Sequence, residues 1–270
     1  PSPFFLLWVD SIWRGLTDTH VPDWRSVRGL SIRQRWQVWR ECAVHELIVK
    51  RAALFPLARL MVHGAVLAGH GDALANGLHA LAPHDWAQEV WSLAAMGLQL
   101  QELYVSAKLM SSWAWDEMAA ALQWAREHWL VLQDSHWAIP ADCAGAQSKK
   151  AFRPYAMAAY RGNSSGGTGF VLLRNPRNKA QAVPAFRLTA ALELPAAHAG
   201  RSFVLGTVRR ASAKSPVGSP LACSSLGTSG ARDAGPGQCS VSADAPITFK
   251  MDAGELLVLR AICSRSEVEA

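Results

Sequence analysis

Phe4-Phe5-Leu6-Leu7-Trp8-Val9-Asp10-Ser11-Ile12-Trp13-Arg14-Gly15 is the stretch on which the fold reading turns. Six apolar residues in a row, half of them aromatic, read as a strand buried on both faces. The run stops on a carboxylate, and an aromatic and an arginine follow at once. Parallel α/β folds place their reactive groups at the C-terminal ends of such strands. The chain opens on Pro1 rather than Met, so the sequence reading starts it inside a domain.

The 270 residues suffice for one large domain or two ordinary ones. Half are hydrophobic and 18% are charged, which supplies a core and excludes wholesale disorder. No apolar stretch reaches the roughly 18 residues of a membrane helix, so no membrane span is expected. No basic-then-apolar leader is visible, although residues upstream would leave a signal peptide, and a secreted or lumenal location, open. Compartment and oligomeric state are not readable. Cys42, Cys143, Cys223, Cys239 and Cys263 show neither a CxxC pair nor metal-ligand spacing. Cys223 and Cys239 flank a Gly/Ser loop and are candidates for pairing, but isolated thiols are the favoured expectation.

Two compositional regimes divide the chain. All 12 tryptophans lie at or before Trp137. Residues 1–140 carry 11 Lys/Arg against 13 Asp/Glu, whereas 141–270 carry 16 against 8, a net of +8. Two domains are therefore expected, 1–140 and 141–270, meeting in the Pro/Gly/Lys-containing stretch 138–151.

The first regime alternates. After the opening strand, Ser31 to about Lys50 has helical spacing, with Ile32, Trp36, Trp39 and Ala43 on one face. Leu54–His63 reads as a loop entering a short buried strand, Asp85–Ala95 as a helix, and Gly97–Val105 as holding a third strand. The longest helix is expected from Ser112 to about Gln133. This β-α-β-α-β-α order argues for parallel strands with crossover helices. Three strands do not close a barrel, so five more are expected upstream, with a smaller open sheet as the alternative.

The second regime is punctuated. Tyr155–Arg161, Gly169–Arg174, Val183–Leu194, Ser202–Val208 and Ile247–Ile262 are short β-type runs between Gly-, Pro- and Asn-containing turns, as in an antiparallel sandwich. Residues 211–245, almost all Ser, Ala, Gly, Pro and Asp, read as a flexible insertion.

Several segments in order resemble the last part of the α-galactosidase (melibiase)-like glycoside hydrolases, including the enterotoxin-like bacterial group. They are Ser2–Gly15, Phe55-Pro56-Leu57 through Leu60-Met61-Val62-His63-Gly64, Gln99–Val105, Asp134-Ser135-His136-Trp137 and Gly169–Pro176. The resemblance spans nearly the whole chain apart from 211–245. It implies the C-terminal portion of a (β/α)8 TIM barrel followed by an antiparallel β-sandwich domain. It also implies a retaining hydrolysis of α-galactoside-type bonds by two carboxylates, with a carbohydrate substrate and no cofactor.

By that resemblance Asp10 is the candidate acid/base, and the nucleophile belongs to an earlier strand outside the chain. The fragment alone is therefore expected to be inactive. Trp13 and Arg14 are candidates for stacking on a sugar and donating to its hydroxyls, with Asp18 beside them. Leu16 departs from the Gly-Gly pair usual before that acid, which bears on this loop's backbone geometry. His63 and Glu102, at two other expected strand ends, are candidate substrate contacts. The bland alternatives are a turn-capping aspartate, a packed aromatic with an ion pair, and hydrogen-bonded structural groups. His136 and Trp137 are read as interdomain packing. A non-catalytic carbohydrate-binding or cell-surface interaction protein on a degenerate glycosidase fold is the rival reading.

Other motifs lead nowhere. Gly162-Asn163-Ser164-Ser165-Gly166 fits G-x-S-x-G and Gly166-Gly167-Thr168-Gly169 is Gly-rich, but neither opens a helix, so both read as a hairpin turn. His63 and His70 complete no metal set. The basic residues of the second half are scattered with few aromatics among them, so nucleic acid is not an expected partner.

Overall fold

The computed structural model describes residues 31–50, 56–59, 62–71, 73, 77–80, 82–141, 153–212, 220–228 and 230–263, with backbone alone at 39, 43, 46–48 and 63. The opening strand and its Asp10, Trp13, Arg14 and Asp18 lie outside them.

Three helices form where capping and periodicity ask for them. Helix α1 (Ile32–Ala43) starts at Ser31, whose hydroxyl accepts from the Gln34 amide while the Gln34 side chain accepts from the Ser31 amide, a reciprocal capping box. It runs on as a π-helical turn, Val44–Val49. Helix α2 (Pro83–Ala95) has proline and Asp85 in its first turn, both suited to an N-terminus. Helix α3 (Ser112–Glu127) is capped by Ser111. It breaks at His128, whose φ of −110° and ψ of 13° leave the helical region, and resumes for one turn at Trp129–Leu132.

Strands β1 (Val62–Leu67) and β2 (Gln101–Val105) pair in parallel, Val62 opposite Gln101 and Leu67 opposite Val105, with α2 between them in sequence. Gly64 makes this approach feasible, because a Cβ there would lie 1.7 Å from the Glu102 carbonyl oxygen.

The expected barrel portion is overturned at this point. Strands β1 and β2 form a two-stranded sheet of their own, and the next strand, β3 (His136–Ile139), runs antiparallel in a different sheet. Among the described residues the alternation extends only through β1-α2-β2-α3. A (β/α)8 wall needs each strand hydrogen-bonded to a parallel neighbour on both sides, and β3 leaves that ladder.

Most of the remaining chain is one seven-stranded antiparallel sheet ordered β3-β4-β5-β11-β7-β9-β8. Its members are β4 (Tyr155–Asn163), β5 (Gly166–Arg174), β7 (Ser202–Ala211), β8 (Arg232–Gly235), β9 (Gln238–Ser242) and β11 (Leu256–Cys263). Alternate residues enter two cores. Met157, Ala159, Phe170, Leu172, Leu256 and Val258 pack with Trp86, Val90, Trp91 and Trp124 of the helices. Ala158, Tyr160, Val171, Leu173, Leu257 and Leu259 face the other way, onto Phe186, Leu188, Leu192 and Ile247. Burial on both faces is why β5 and β11 read as continuous apolar runs.

That second face is covered by a two-stranded ribbon of β6 (Gln181–Ala182) and β10 (Lys250–Met251), a Phe186–Ile247 bridge, and single helical turns at Leu188–Ala191 and Ala196–Ala199. The expected sandwich, two sheets face to face, is thus replaced by one large sheet between two mixed layers. Val183–Leu194 is no strand: Pro184 lacks the ladder donor, and the chain turns helical at Leu188.

The expected flexible insertion also carries structure. Residues 232–242 form the β8–β9 hairpin, which closes one edge of the sheet. A Cys223–Cys239 disulfide staples it, correcting the expectation of isolated thiols. Cys42 is disulfide-bonded as well, and Cys263 is a buried thiol outside any disulfide.

Candidate functional site

Of the six residues singled out from sequence, the described structure bears on two. His63 and Glu102 are each the second residue of a strand, at its N-terminal end. They do not sit on the exit rim where parallel sheets gather ligands. The Glu102 carboxylate, partly exposed, accepts from the Tyr104 hydroxyl at 2.7 Å. At the opposite, C-terminal ends, the Ser106 amide donates to the Leu67 carbonyl at 2.8 Å and the Gly69 amide to the Ser106 hydroxyl at 3.2 Å. The exit rim is therefore built of Leu67–His70 and Val105–Ser106.

His136 and Trp137 pack between elements. The two ring nitrogens of His136 lie 3.1 Å and 3.0 Å from the carbonyls of Asp134 and Ala191. Trp137 sits against His45 and Tyr155, with ring centroids 5.1 Å and 5.6 Å away.

Helices α1 and α2 face each other through polar stripes: Arg33, Gln37, Arg40 and Glu41 on one, Asp85, Gln88, Glu89 and Ser92 on the other, all buried. Arg33 pairs with Glu89 and donates to the Val66, Leu78 and Ala80 carbonyls. Glu89 also accepts from the Val66 amide at 2.7 Å. From β5, Arg174 reaches across to Glu41 at 2.6 Å and to the Gln37 carbonyl oxygen. Arg40 donates to the Ser92 hydroxyl at 2.8 Å, and burial pulls its pKa below the ordinary arginine value. The guanidinium groups of Arg33, Arg40 and Arg174 thus meet two carboxylates, those of Glu89 and Glu41. The arrangement joins helices to sheet and leaves no carboxylate here open to solvent for proton transfer.

Elsewhere the buried acids are likewise engaged. Glu117 accepts from Arg209 and from the Trp91 indole, and Glu255 from Arg210. In the β4–β5 hairpin region the Tyr160 hydroxyl lies 2.6 Å from Nδ1 of buried His198. Burial, reinforced by Cys263, pushes the Tyr160 pKa up to about 12.

A cleft of about 500 Å³ opens between the approach to β2 and the end of α3. Leu122 and Leu132 form its floor, while Gln99, Gln101, Arg126 and Trp129 stand at its rim. Trp129 is 44% exposed. The sequence reading passed over all four: the Leu-Gln-Leu-Gln alternation at 98–101 and an indole just past the helix break were the available signals.

Among the described residues no group of three or more His, Cys, Asp or Glu side chains could hold a metal ion, and no helix is long and apolar enough to cross a membrane. No protein-family model, curated protein or solved structure matches this chain.

Proposed function

We propose that this chain is part of a carbohydrate-acting protein, a glycoside hydrolase directed at α-galactoside-type bonds. The observation that carries the reading is the ordered series of segments from Ser2–Gly15 to Gly169–Pro176 that resembles the α-galactosidase-like group. In this reading Asp10 protonates the leaving oxygen in a retaining two-carboxylate mechanism. Trp13, Arg14 and Asp18 contact the sugar beside it. The test is hydrolysis of an aryl α-galactoside by the full-length protein and its Asp10→Asn variant. A fall in turnover of at least about a hundredfold is expected for loss of general acid catalysis. Unchanged turnover removes Asp10 from the chemistry.

A second reading, non-catalytic carbohydrate recognition, is favoured by one observation. Arg33, Arg174, Arg209 and Arg210 take up the buried glutamates Glu89, Glu41, Glu117 and Glu255. Absence of hydrolysis by the full-length protein, with sugar binding retained, would select this reading.

A further inference from the structure

We propose that the cleft between Gly97–Gln101 and the Arg126–Leu132 segment is a glycan-binding site that takes a neutral hexopyranose, with Trp129 as its stacking platform. The site lies at the N-terminal end of β2, away from the C-terminal ends of β1 and β2. It shares with the proposed function only the class of ligand.

The lining chemistry selects the occupant. A pyranose has one face of C–H groups and a rim of hydroxyls that both donate and accept. Trp129 turns an exposed indole to the cleft, and its one-turn helix directly after the break at His128 sets it there. An aromatic face attracts the polarised C–H groups of a sugar much as it attracts other electropositive edges. Arg126 brings five N–H donors in a plane and Gln101 both a donor and an acceptor. Neither side chain has a hydrogen-bonding or ionic partner among the described residues, so both are available to a ligand. Gln99 is held in place, its carbonyl oxygen accepting from Arg59 at 3.0 Å. Among the described residues no carboxylate lines the cleft, which suits binding without cleavage.

The walls are fixed before any ligand arrives. Gly97, at φ +68°, lets the two segments close up, since a Cβ there would lie 1.9 Å from the Leu132 carbonyl oxygen. The Ser135 hydroxyl ties the far wall to the Ala95 carbonyl at 3.0 Å. A preformed site spares the ordering cost of binding. A volume of about 500 Å³ lies within the ordinary range for small-molecule sites.

The experiment is calorimetric or saturation-transfer NMR titration of the whole chain with melibiose, maltose and mannobiose. The variants are Trp129→Ala, Trp129→Phe, Arg126→Ala and Trp115→Ala, the last an exposed indole outside the cleft. At least one disaccharide is expected to bind. Trp129→Ala should weaken it by about tenfold or more, Trp129→Phe by no more than about threefold, and Trp115→Ala should leave it unchanged. Near-UV circular dichroism of Trp129→Ala should keep its fold, because the side chain is exposed. Binding that survives Trp129→Ala, or no binding of any of the three sugars by the unmodified chain, overturns the site. Loss of binding in Trp115→Ala but not in Trp129→Ala does so too. Loss of hydrolysis as a property, with Trp129-dependent binding intact, defeats the hydrolase reading and leaves this one standing.

Discussion

Tyr160 is the side chain whose protonation most plainly bears on stability. Its hydroxyl lies 2.6 Å from His198 Nδ1 under the β4–β5 hairpin, and burial pushes its pKa up to about 12. An unfolded tyrosine titrates near pH 10. The folded state therefore holds this proton more tightly. The resulting stabilisation is present below about pH 10 and is lost as pH rises through about 12. Tyr160→Phe should be less stable than the unmodified protein near neutrality, with the gap narrowing across that alkaline window. Urea denaturation of both proteins at about pH 8 and about pH 11.5 measures it, and a constant gap would refute the assignment. At this scale the sequence was only partly legible. The short strand entered through Leu54–His63 was taken to end at His63, one residue before Gly64. Gly64 lies inside β1, where the backbone of Glu102 comes too close for any other residue. A glycine demanded by close approach and a glycine that ends a strand look alike until the neighbouring strand is known.

Among the elements, the β8–β9 hairpin has least to hold it by packing. Its β8 residues Arg232, Asp233 and Ala234 are exposed, and it forms the sheet's last edge. The Cys223–Cys239 disulfide, 16 residues apart in sequence, restrains the unfolded chain and anchors β9 to the turn at Cys223–Ser225. A closed loop of that length is worth about 3 kcal/mol in the chain-entropy account. The double variant Cys223→Ser/Cys239→Ser should therefore melt about 5–10 °C lower by calorimetry. An unchanged Tm would mean that the edge contributes nothing to the global transition. Helices and long strands were legible as elements: Ser31, Pro83 and Ser111 mark starts, and the apolar runs of β5 and β11 mark central strands. The hairpin was not, since Cys239 and Val241 are the only buried alternation amid Ala, Gly, Pro and Ser. A cross-link and backbone pairing to β7 add to the burial of those two side chains. Nor was the partner of each strand legible. Periodicity gives a strand's faces, while the choice between a parallel neighbour and an antiparallel one depends on chain elsewhere, so the barrel expectation failed at β3.

Across the whole molecule, helices and sheet meet in two chemically different ways. Apolar packing joins Trp86, Trp91 and Trp124 to Phe170, Leu172 and Val258. Beside it lies the ionic contact of Arg174 with Glu41 and Gln37, both partners of the ion pair at most 1% exposed. None of this pairing was visible from the sequence, where Arg174 and Glu41 stand 133 residues apart. A buried pair adds little over an apolar pair of equal shape, but losing one partner strands the other charge at a cost of about 3–5 kcal/mol. Glu41→Ala should therefore destabilise by about that amount, while Glu41→Leu/Arg174→Met should recover much of it. The uneven tryptophan distribution supplies two independent probes. Among the described residues every tryptophan but Trp137 lies in a helix, so their fluorescence follows mainly the helical side, whereas the far-ultraviolet β signal follows the sheet. In the unmodified protein the two urea transitions should coincide, as expected for a unit with a shared core. In Glu41→Ala the fluorescence midpoint should fall first, because the stranded Arg174 is relieved when α1 separates from β5. Coincident midpoints in that variant, with full stability retained, would show that the apolar contact alone couples the layers.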